Sequence, residues 1–267
     1  MNIEINPNTL MKNEITMTLT QEQTDFYFEN GYLKYGSVLE SDELEALRRE
    51  YDHEFEKAWK NDSFRNLSVG DEARTEDKKK SKQKMFQIMQ LCERNIQFRK
   101  ILFNKKILDV VEELMGPNIM LFHDQALFKP AKTGGPVPWH QDNGYWHCSP
   151  ANLVSCWMTL DDACKENGAM QVIPGSHLKP YRHAETQASK ALQEIEAPID
   201  ESKIVVVDLK AGECMFHHCQ TLHYTQPNTT DYQRRAFIIH FMVPGTRQSS
   251  GKRMHPSFSH PILRMTV

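Results

Sequence analysis

Apolar residues recur along the chain in two different rhythms, and the change between them falls near residue 117. Upstream the spacing is helical. Thr20 stands three residues before Gln23, a capping-box spacing, and opens a short amphipathic helix that carries Phe26 and closes at Asn30-Gly31. Tyr32 to Val38 reads as a short strand. Ser41 is the expected cap of a longer helix with Leu44, Leu47, Tyr51, Phe55 and Trp59 at helical spacing. These are packing residues, Trp59 being the one placed to reach a pocket. Residues 61–84 are polar and lack an apolar period, which predicts a mobile loop or a solvated helix start. The lysine cluster there reads as solvated surface rather than an anion site. Two further helices are expected, one through Ile96, Phe98, Ile101 and Leu102 and one from Ile107 to Met115, stopped by Gly116-Pro117. Residues 1–17 look like a loose arm.

Beyond Pro117 the period becomes that of strands. Ile119 to Phe122 and Ala126 to Phe128 are short runs, and Gly134-Gly135-Pro136 marks a turn. Leu153 to Leu160 is the next strand. Asn167-Gly168 is a hairpin signal ahead of Ala169 to Ile173, and Pro174-Gly175-Ser176 closes that strand. Residues 183–200 form a polar, partly helical excursion. Ile204 to Val207, Cys214 to His217 and Ala236 to Val243 complete the set, with a turn at Ala211-Gly212. Short strands at regular spacing predict a mainly β sandwich or barrel, with a helical N-terminal part packed on it. No internal repeat or low-complexity linker divides residues 1–267, so one domain is expected.

Composition narrows the classes. A net charge of -3 and the lack of a basic stripe argue against nucleic-acid binding. No apolar run approaches the ~20 residues that cross a bilayer, and no signal peptide is visible at Met1 to Asn6, so a cytoplasmic protein is expected. The six cysteines form no C-x-x-C pair and read as reduced thiols.

The candidate chemistry centres on Pro138-Trp139-His140-Gln141-Asp142. In an extended chain, residues i and i+2 point to the same side, so His140 and Asp142 can converge on one point. Two imidazoles and a carboxylate form the ligand set of a non-haem Fe(II) oxygenase, which requires a further histidine. The tripeptide alone carries little. The segment His223-Tyr224-Thr225-Gln226-Pro227-Asn228, followed by Arg234 and Arg235, adds the distant His and the Arg that an iron and 2-oxoglutarate site needs. Spacing leaves His217, His218 and His223 in competition, the first two reading more naturally as structural or supporting. It also leaves the arginine open. Arg234 and Arg235 face opposite ways in a strand, and both faces of Ala236 to Val243 are apolar. Trp157 shares strand parity with Ser155 and Thr159, a mixed face suited to lining a site, whereas Val154, Cys156 and Met158 belong in the core.

Gln125 to His177, together with Gly212 to Phe241, resembles the phytanoyl-CoA dioxygenase family of Fe(II)/2-oxoglutarate oxygenases. The matching pieces are Lys129-Pro130, Pro138 to Asp142, the Asn167-Gly168 turn leading to Ile173-Pro174-Gly175-Ser176-His177, and Thr221-Leu222-His223 with Arg234 beyond it. Phe26 to Tyr32 is similar too. The resemblance implies a double-stranded β-helix (jelly-roll, cupin-like) core over residues 118–245, between a mainly helical part at 1–117 and a tail at 246–267. It implies that His140, Asp142 and His223 hold Fe(II), and that 2-oxoglutarate and O2 react there with release of succinate and CO2. It favours Arg234 as the guanidinium fork for the distal carboxylate, with Thr225 donating to the same group. It puts Gln125 and Trp157 near the cosubstrate and leaves Arg235 as an ion pair. Halogenases of the family replace the carboxylate by a small residue, so Asp142 points to hydroxylation. Asn143, Tyr145 and Trp146 follow the metal strand and border the substrate or the barrel core; His123, His147, His177, His183 and His240 receive no metal role. The substrate is expected to be a small molecule, which the resemblance does not specify. A cupin-like metal-binding protein or metal-dependent isomerase would have no need of Arg234 and Thr225. A nucleic-acid demethylase on the same core meets the charge argument above.

Overall fold

The computed structural model describes residues 18–70, 73–187, 189–248 and 259–266. The arm expected over residues 1–17, and residues 249–258 of the tail, lie outside them. Helix α1 (Gln21–Asn30) begins as its sequence requires: the Thr20 hydroxyl accepts from Gln23 N–H, and the Gln23 side chain accepts from Thr20 N–H. Gly31, at φ 79°, ends it in the left-handed region and releases β1 (Tyr32–Ser37). The long helix α2 (Ser41–Asn61) is capped by Glu40, not by the expected Ser41, because Glu43 reaches back to the Glu40 N–H at 2.9 Å. Leu47, Tyr51 and Ala58 are buried along it, while Trp59 stacks on Phe64 outside the pocket described below.

Of the two forms that their polarity predicts, residues 61–84 take the solvated helix start rather than the loop, and add a short strand before it. They contain β2 (Arg65–Asn66) and α3 (Thr75–Lys80), with Phe64, Leu67 and Asn66 buried. Asn66 supplies what an apolar period would have supplied. Its amide donates to Lys78 O, and its oxygen accepts from the N–H of Ser68 and Met85. The basic run does face solvent: Lys79 pairs with Asp62 and Lys80 with Glu76. Then follow β3 (Phe86–Met89), α4 (Leu91–Arg94), α5 (Ile96–Ile101) and α6 (Lys105–Met115).

The two short runs after Pro117 are one strand, β4 (Ile119–Lys129), since buried His123 and Asp124 and the cavity-lining Gln125 continue it as polar residues. The chain continues through β5 (Val137–His140), α7 (Asp142–Trp146), β6 (Cys148–Ser149), β7 (Leu153–Thr159) and β8 (Met170–Val172). Where a partly helical excursion was expected, β9 (His183–Glu185) and β10 (Gln193–Ile195) form a hairpin anchored by buried Leu192 and Ile195. The last strands are β11 (Val205–Val207), β12 (Glu213–His218), β13 (His223–Thr225), β14 (Arg234–Met242), β15 (Arg247–Gln248) and β16 (Ile262–Arg264).

The architecture is mixed α/β with antiparallel sheets. The major sheet runs β1-β12-β7-β14-β4-β3-β2, with β16 on β4, and the minor sheet β11-β8-β13-β5. The N-terminal part is therefore not only helical, since β1, β2 and β3 belong to the major sheet. One face of that sheet meets the helices: Phe237, Ile239 and Phe241 join Val154, Cys156 and Met158 against Leu47, Phe98 and Val110. The other meets the minor sheet, where Trp157, Ala236 and Ile238 lie with Met170 and Val172. A strand between two apolar layers is buried on both sides, which is why β14 shows no alternation. Asn167-Gly168 is not a hairpin turn. The strands around it belong to different sheets, and Gly168 (φ 92°) carries the crossing where a Cβ would meet Gln226 O at 2.9 Å. Among the described residues no helix is long and apolar enough to cross a membrane.

Candidate metal centre and anion pocket

His140 ends β5 and His223 opens β13, and the two are register partners in the minor sheet. Asp142 is the first residue of α7 rather than a strand residue. Gln141 between them keeps an extended backbone (φ -108°, ψ 135°), so His140 and Asp142 still point the same way. His140 Nδ1 lies 2.7 Å from Pro138 O, and His223 Nδ1 lies 2.9 Å from Thr221 O. A carbonyl only accepts, so both protons sit on Nδ1 and both Nε2 lone pairs are free. Those two atoms lie 3.7 and 3.6 Å from Asp142 Oδ1. The ligand atoms of the three residues fall within 4.8 Å of one another, and all three are buried. Burial and the His140 ring hold His223 well below the usual imidazole range. Burial opposes ionisation of Asp142, but His223 and the hydrogen bond from His217 hold its carboxyl well below the usual carboxylate range. Two neutral nitrogens and an anionic oxygen on one point suit a divalent cation of the iron type.

Of the other two competing histidines, His217 donates from Nε2 to Asp142 Oδ2 at 3.1 Å, and His218 accepts from Gln220 N–H away from the cluster. Ser155 Oγ lies 3.2 Å from the same Oδ2. The carboxylate is thus held by one oxygen and presents the other.

The same cavity, about 230 Å³, reaches Arg234 and Thr225. Arg234 is fully buried on the pocket face of β14, 5.3 Å from the Trp157 ring. Its Nη1 has only a long contact to Leu127 O at 3.4 Å, and its Nε has no partner. Thr225 Oγ1 is likewise buried and unpartnered. Among the described residues no carboxylate pairs with Arg234, and burial pushes its pKa down to about 10. Lys129, its register partner on β4, is also fully buried and donates to the carbonyls of Thr225 and Gln226 at 3.2 and 2.5 Å. Buried donors without acceptors are rare, and such a cluster under positive charge suits an anion. Arg235 points to the opposite face. Asp161 takes its Nη2 at 2.6 Å and Nε at 3.0 Å, and Asp52 takes Nη1 at 2.8 Å. Burial opposes that charge, but the two aspartates hold the guanidinium above its ordinary range.

Gln125 and Trp157 line the cavity, as do Tyr145 and Trp146, whereas Asn143 turns away and bonds to Cys148. Tyr145 packs edge-on against His140, and its hydroxyl accepts from Gln193 N–H, tying the β9–β10 hairpin over the site. Wall residues that carried no signal in the sequence reading include Arg65, Gln87 and Leu192. The first two sit in the segment read as loop or left unassigned, and Leu192 in the excursion read as partly helical. Lys129 belonged to the quoted Lys129-Pro130 motif but had received no role.

The family model of phytanoyl-CoA dioxygenase matches residues 27–236. Peroxisomal phytanoyl-CoA dioxygenase of Mus musculus is 29% identical over 235 residues, covering 84% of this chain and 68% of that protein. Among solved structures, the non-haem alpha-ketoglutarate-dependent carbocyclase SnoK of nogalamycin biosynthesis is 22% identical with a TM-score of 0.72, over 92% of this chain and 96% of that one. The epimerase SnoN, solved with Fe3+, alpha-ketoglutarate (2-oxoglutarate) and nogalamycin RO, is 21% identical with a TM-score of 0.70, over 91% and 98%. At such identities the two structures speak for the fold.

Proposed function

The chain belongs to the phytanoyl-CoA dioxygenase family, and from that premise we propose that it is an Fe(II)- and 2-oxoglutarate-dependent dioxygenase that hydroxylates a small molecule. One observation carries the reading. Two free imidazole Nε2 atoms and Asp142 Oδ1 converge in a cavity whose other end holds two unpartnered buried groups, Arg234 Nε and Thr225 Oγ1. In this reading His140, Asp142 and His223 are the iron ligands. Arg234 and Thr225 receive the distal carboxylate of 2-oxoglutarate, Trp157 supports the guanidinium from below, and Gln125 forms the adjoining wall. Iron, 2-oxoglutarate and O2 bound there would supply oxidative decarboxylation to succinate and CO2, coupled to oxidation of a substrate C–H bond.

The chain's own residues do the rest. The Pro138 and Thr221 carbonyls fix the tautomers that leave Nε2 free. Asp142, kept as a carboxylate, occupies the position that family halogenases leave open, which favours hydroxylation. Tyr145, Trp146 and Leu192 exclude water from the metal face. A cavity of about 230 Å³ that also receives the cosubstrate leaves room for only the reacting part of a substrate. The two facing antiparallel sheets support a double-stranded β-helix core, and apolar layers shared by helices and strands support one dioxygenase domain over 1–267. Six free thiols agree with a reducing compartment such as the cytoplasm.

The test is an anaerobic titration with Fe(II) and then 2-oxoglutarate. A weak visible charge-transfer band is expected for wild type, with affinity reduced severalfold or more in Arg234→Ala. Metal bound without any band would overturn the oxygenase reading in favour of a cupin-like metal protein without 2-oxoglutarate turnover.

A further inference from the structure

Asp142 stands at one end of a line of hydrogen bonds whose direction is set from both ends. Arg65 on β2 has only donors, and its Nη1 donates to Gln87 Oε1 on β3. The Gln87 amide nitrogen is left to face Gln125 on β4, whose Oε1 accepts from it. Gln125 Nε2 then lies 2.9 Å from His240 Nε2 on β14. That ring nitrogen must accept, so the His240 proton sits on Nδ1. Nδ1–H donates to Ser155 Oγ on β7 at 2.7 Å, and the Ser155 hydroxyl donates its own proton to Asp142 Oδ2 at 3.2 Å. A carboxylate only accepts. Every link therefore sets a donor against an acceptor, from a cation to an anion, across five neighbouring strands of the major sheet.

The alternative arrangement fails at one identifiable point. With its proton on Nε2, His240 would meet the Gln125 donor head-on. Ser155 would then donate to Nδ1, and Asp142 would lose that bond. The outer arginine thus selects the tautomer several residues away.

We propose that Ser155 and His240 are positioning residues for the metal site: they lock Asp142 Oδ2 so that Oδ1 alone is presented to the cation. The proposal rests on Asp142 being a metal ligand. Neither residue hydrogen-bonds to Arg234 or Thr225, so metal affinity and cosubstrate affinity should separate when they are changed.

The experiment is an anaerobic titration of metal-free protein with Co(II), followed by its visible absorption, then with 2-oxoglutarate at saturating Co(II). Ser155→Ala, His240→Leu and His240→Gln are expected to weaken Co(II) binding by about 10–100-fold, the usual range for a supporting partner of a ligand, while 2-oxoglutarate affinity changes far less. His240→Asn places an amide N–H near the Nδ1 position and should recover to within roughly threefold of wild type. Glutamine is closer to histidine in size, so a packing role would favour His240→Gln over His240→Asn. Ser155→Ala removes only a hydroxyl, so the result does not depend on how leucine packs at 240. Ser155→Ala binding Co(II) as wild type does, or His240→Asn no better than His240→Gln, would overturn the proposal. Wild type that binds no Co(II) would overturn the metal-site reading itself.

Discussion

Replacing Arg234 by methionine should make the ligand-free protein more stable and the ligand-bound protein less so. The guanidinium is fully buried with no carboxylate partner among the described residues, and burial takes its pKa from the ordinary arginine range down to about 10. At 1.36 kcal/mol per tenfold, that is about 3 kcal/mol against the charged form in the fold. The folded pKa of this base lies below its unfolded value, so the cost is felt in full below about pH 10 and fades as pH rises toward the unfolded value. Near pH 7.5 all of it applies. Methionine keeps the length and much of the apolar volume, and removes both the charge and the unpartnered Nε. What it loses is the contact with the Trp157 ring, worth about 0.5–2 kcal/mol. The balance is a gain of about 1–2.5 kcal/mol, or about 2–10 °C in melting midpoint for a chain of this size. With Mn(II) and saturating 2-oxoglutarate the order should reverse, because binding stabilises wild type by mass action. Loss of one partner of a buried charged contact costs about 2–5 kcal/mol, so 2-oxoglutarate affinity should fall by roughly 30- to 5,000-fold. Calorimetric melts with and without ligand measure both effects. A variant that melts below wild type with no ligand present would refute the reasoning, since Arg234 would then be holding the fold rather than waiting for an anion.

Two predictions concern residues outside the pocket. Asp161→Asn breaks the paired contact with Arg235 on the helix face and should cost about 2–4 kcal/mol in urea unfolding, while 2-oxoglutarate affinity stays within about twofold; a matching loss of affinity would mean that the two arginines are not separated by the sheet. Asp124 is buried on β4, and burial raises its pKa to about 6 against the hydrogen bonds from Cys92. The folded form thus disfavours the carboxylate by about 3 kcal/mol at pH 8, less as pH falls through 6, and not at all below its unfolded value of 3.8. Asp124→Asn, which can still accept from Cys92 N–H, should therefore raise the melting midpoint at pH 8 and lose most of that advantage by pH 4.5. An advantage that does not change over this range would remove burial of charge as its cause.

Local chemistry was legible in the sequence and cross-chain chemistry was not. The Thr20–Gln23 box and the Gly31 stop involve neighbours a few residues apart, so the pattern alone specifies them. The buried contacts of residues 61–84, read as loop or solvated helix, escape the sequence because their organising residue is a buried asparagine, and an amide that satisfies distant backbone groups leaves no periodic trace. The 183–195 hairpin reads as polar because, among its described residues, Leu192 and Ile195 are the buried hydrophobic ones. Asn167-Gly168 has the right turn chemistry for the wrong connection, since a left-handed glycine serves a crossing between sheets as well as a hairpin.

The candidate site was legible where it is contiguous: His140 and Asp142 follow from the extended Gln141 between them. The choice of Arg234 over Arg235 could not come from alternation, because β14 is covered by helices on one face and by the minor sheet on the other. Once Arg235 is seen to pair with Asp52 of α2, parity assigns the whole strand. Arg234, Ala236, Ile238 and His240 share the pocket face. His240 is then a polar residue at a buried strand position, and such a residue has to find partners. So does Ser155 on β7, and the half-buried Gln125 on β4 lines the same cavity. Read one at a time, each is a tolerable oddity in an apolar strand. Read as residues on adjacent strands of one sheet face, they must bond to one another. A donor-only arginine at one end and an acceptor-only carboxylate at the other then leave a single direction for every proton between them.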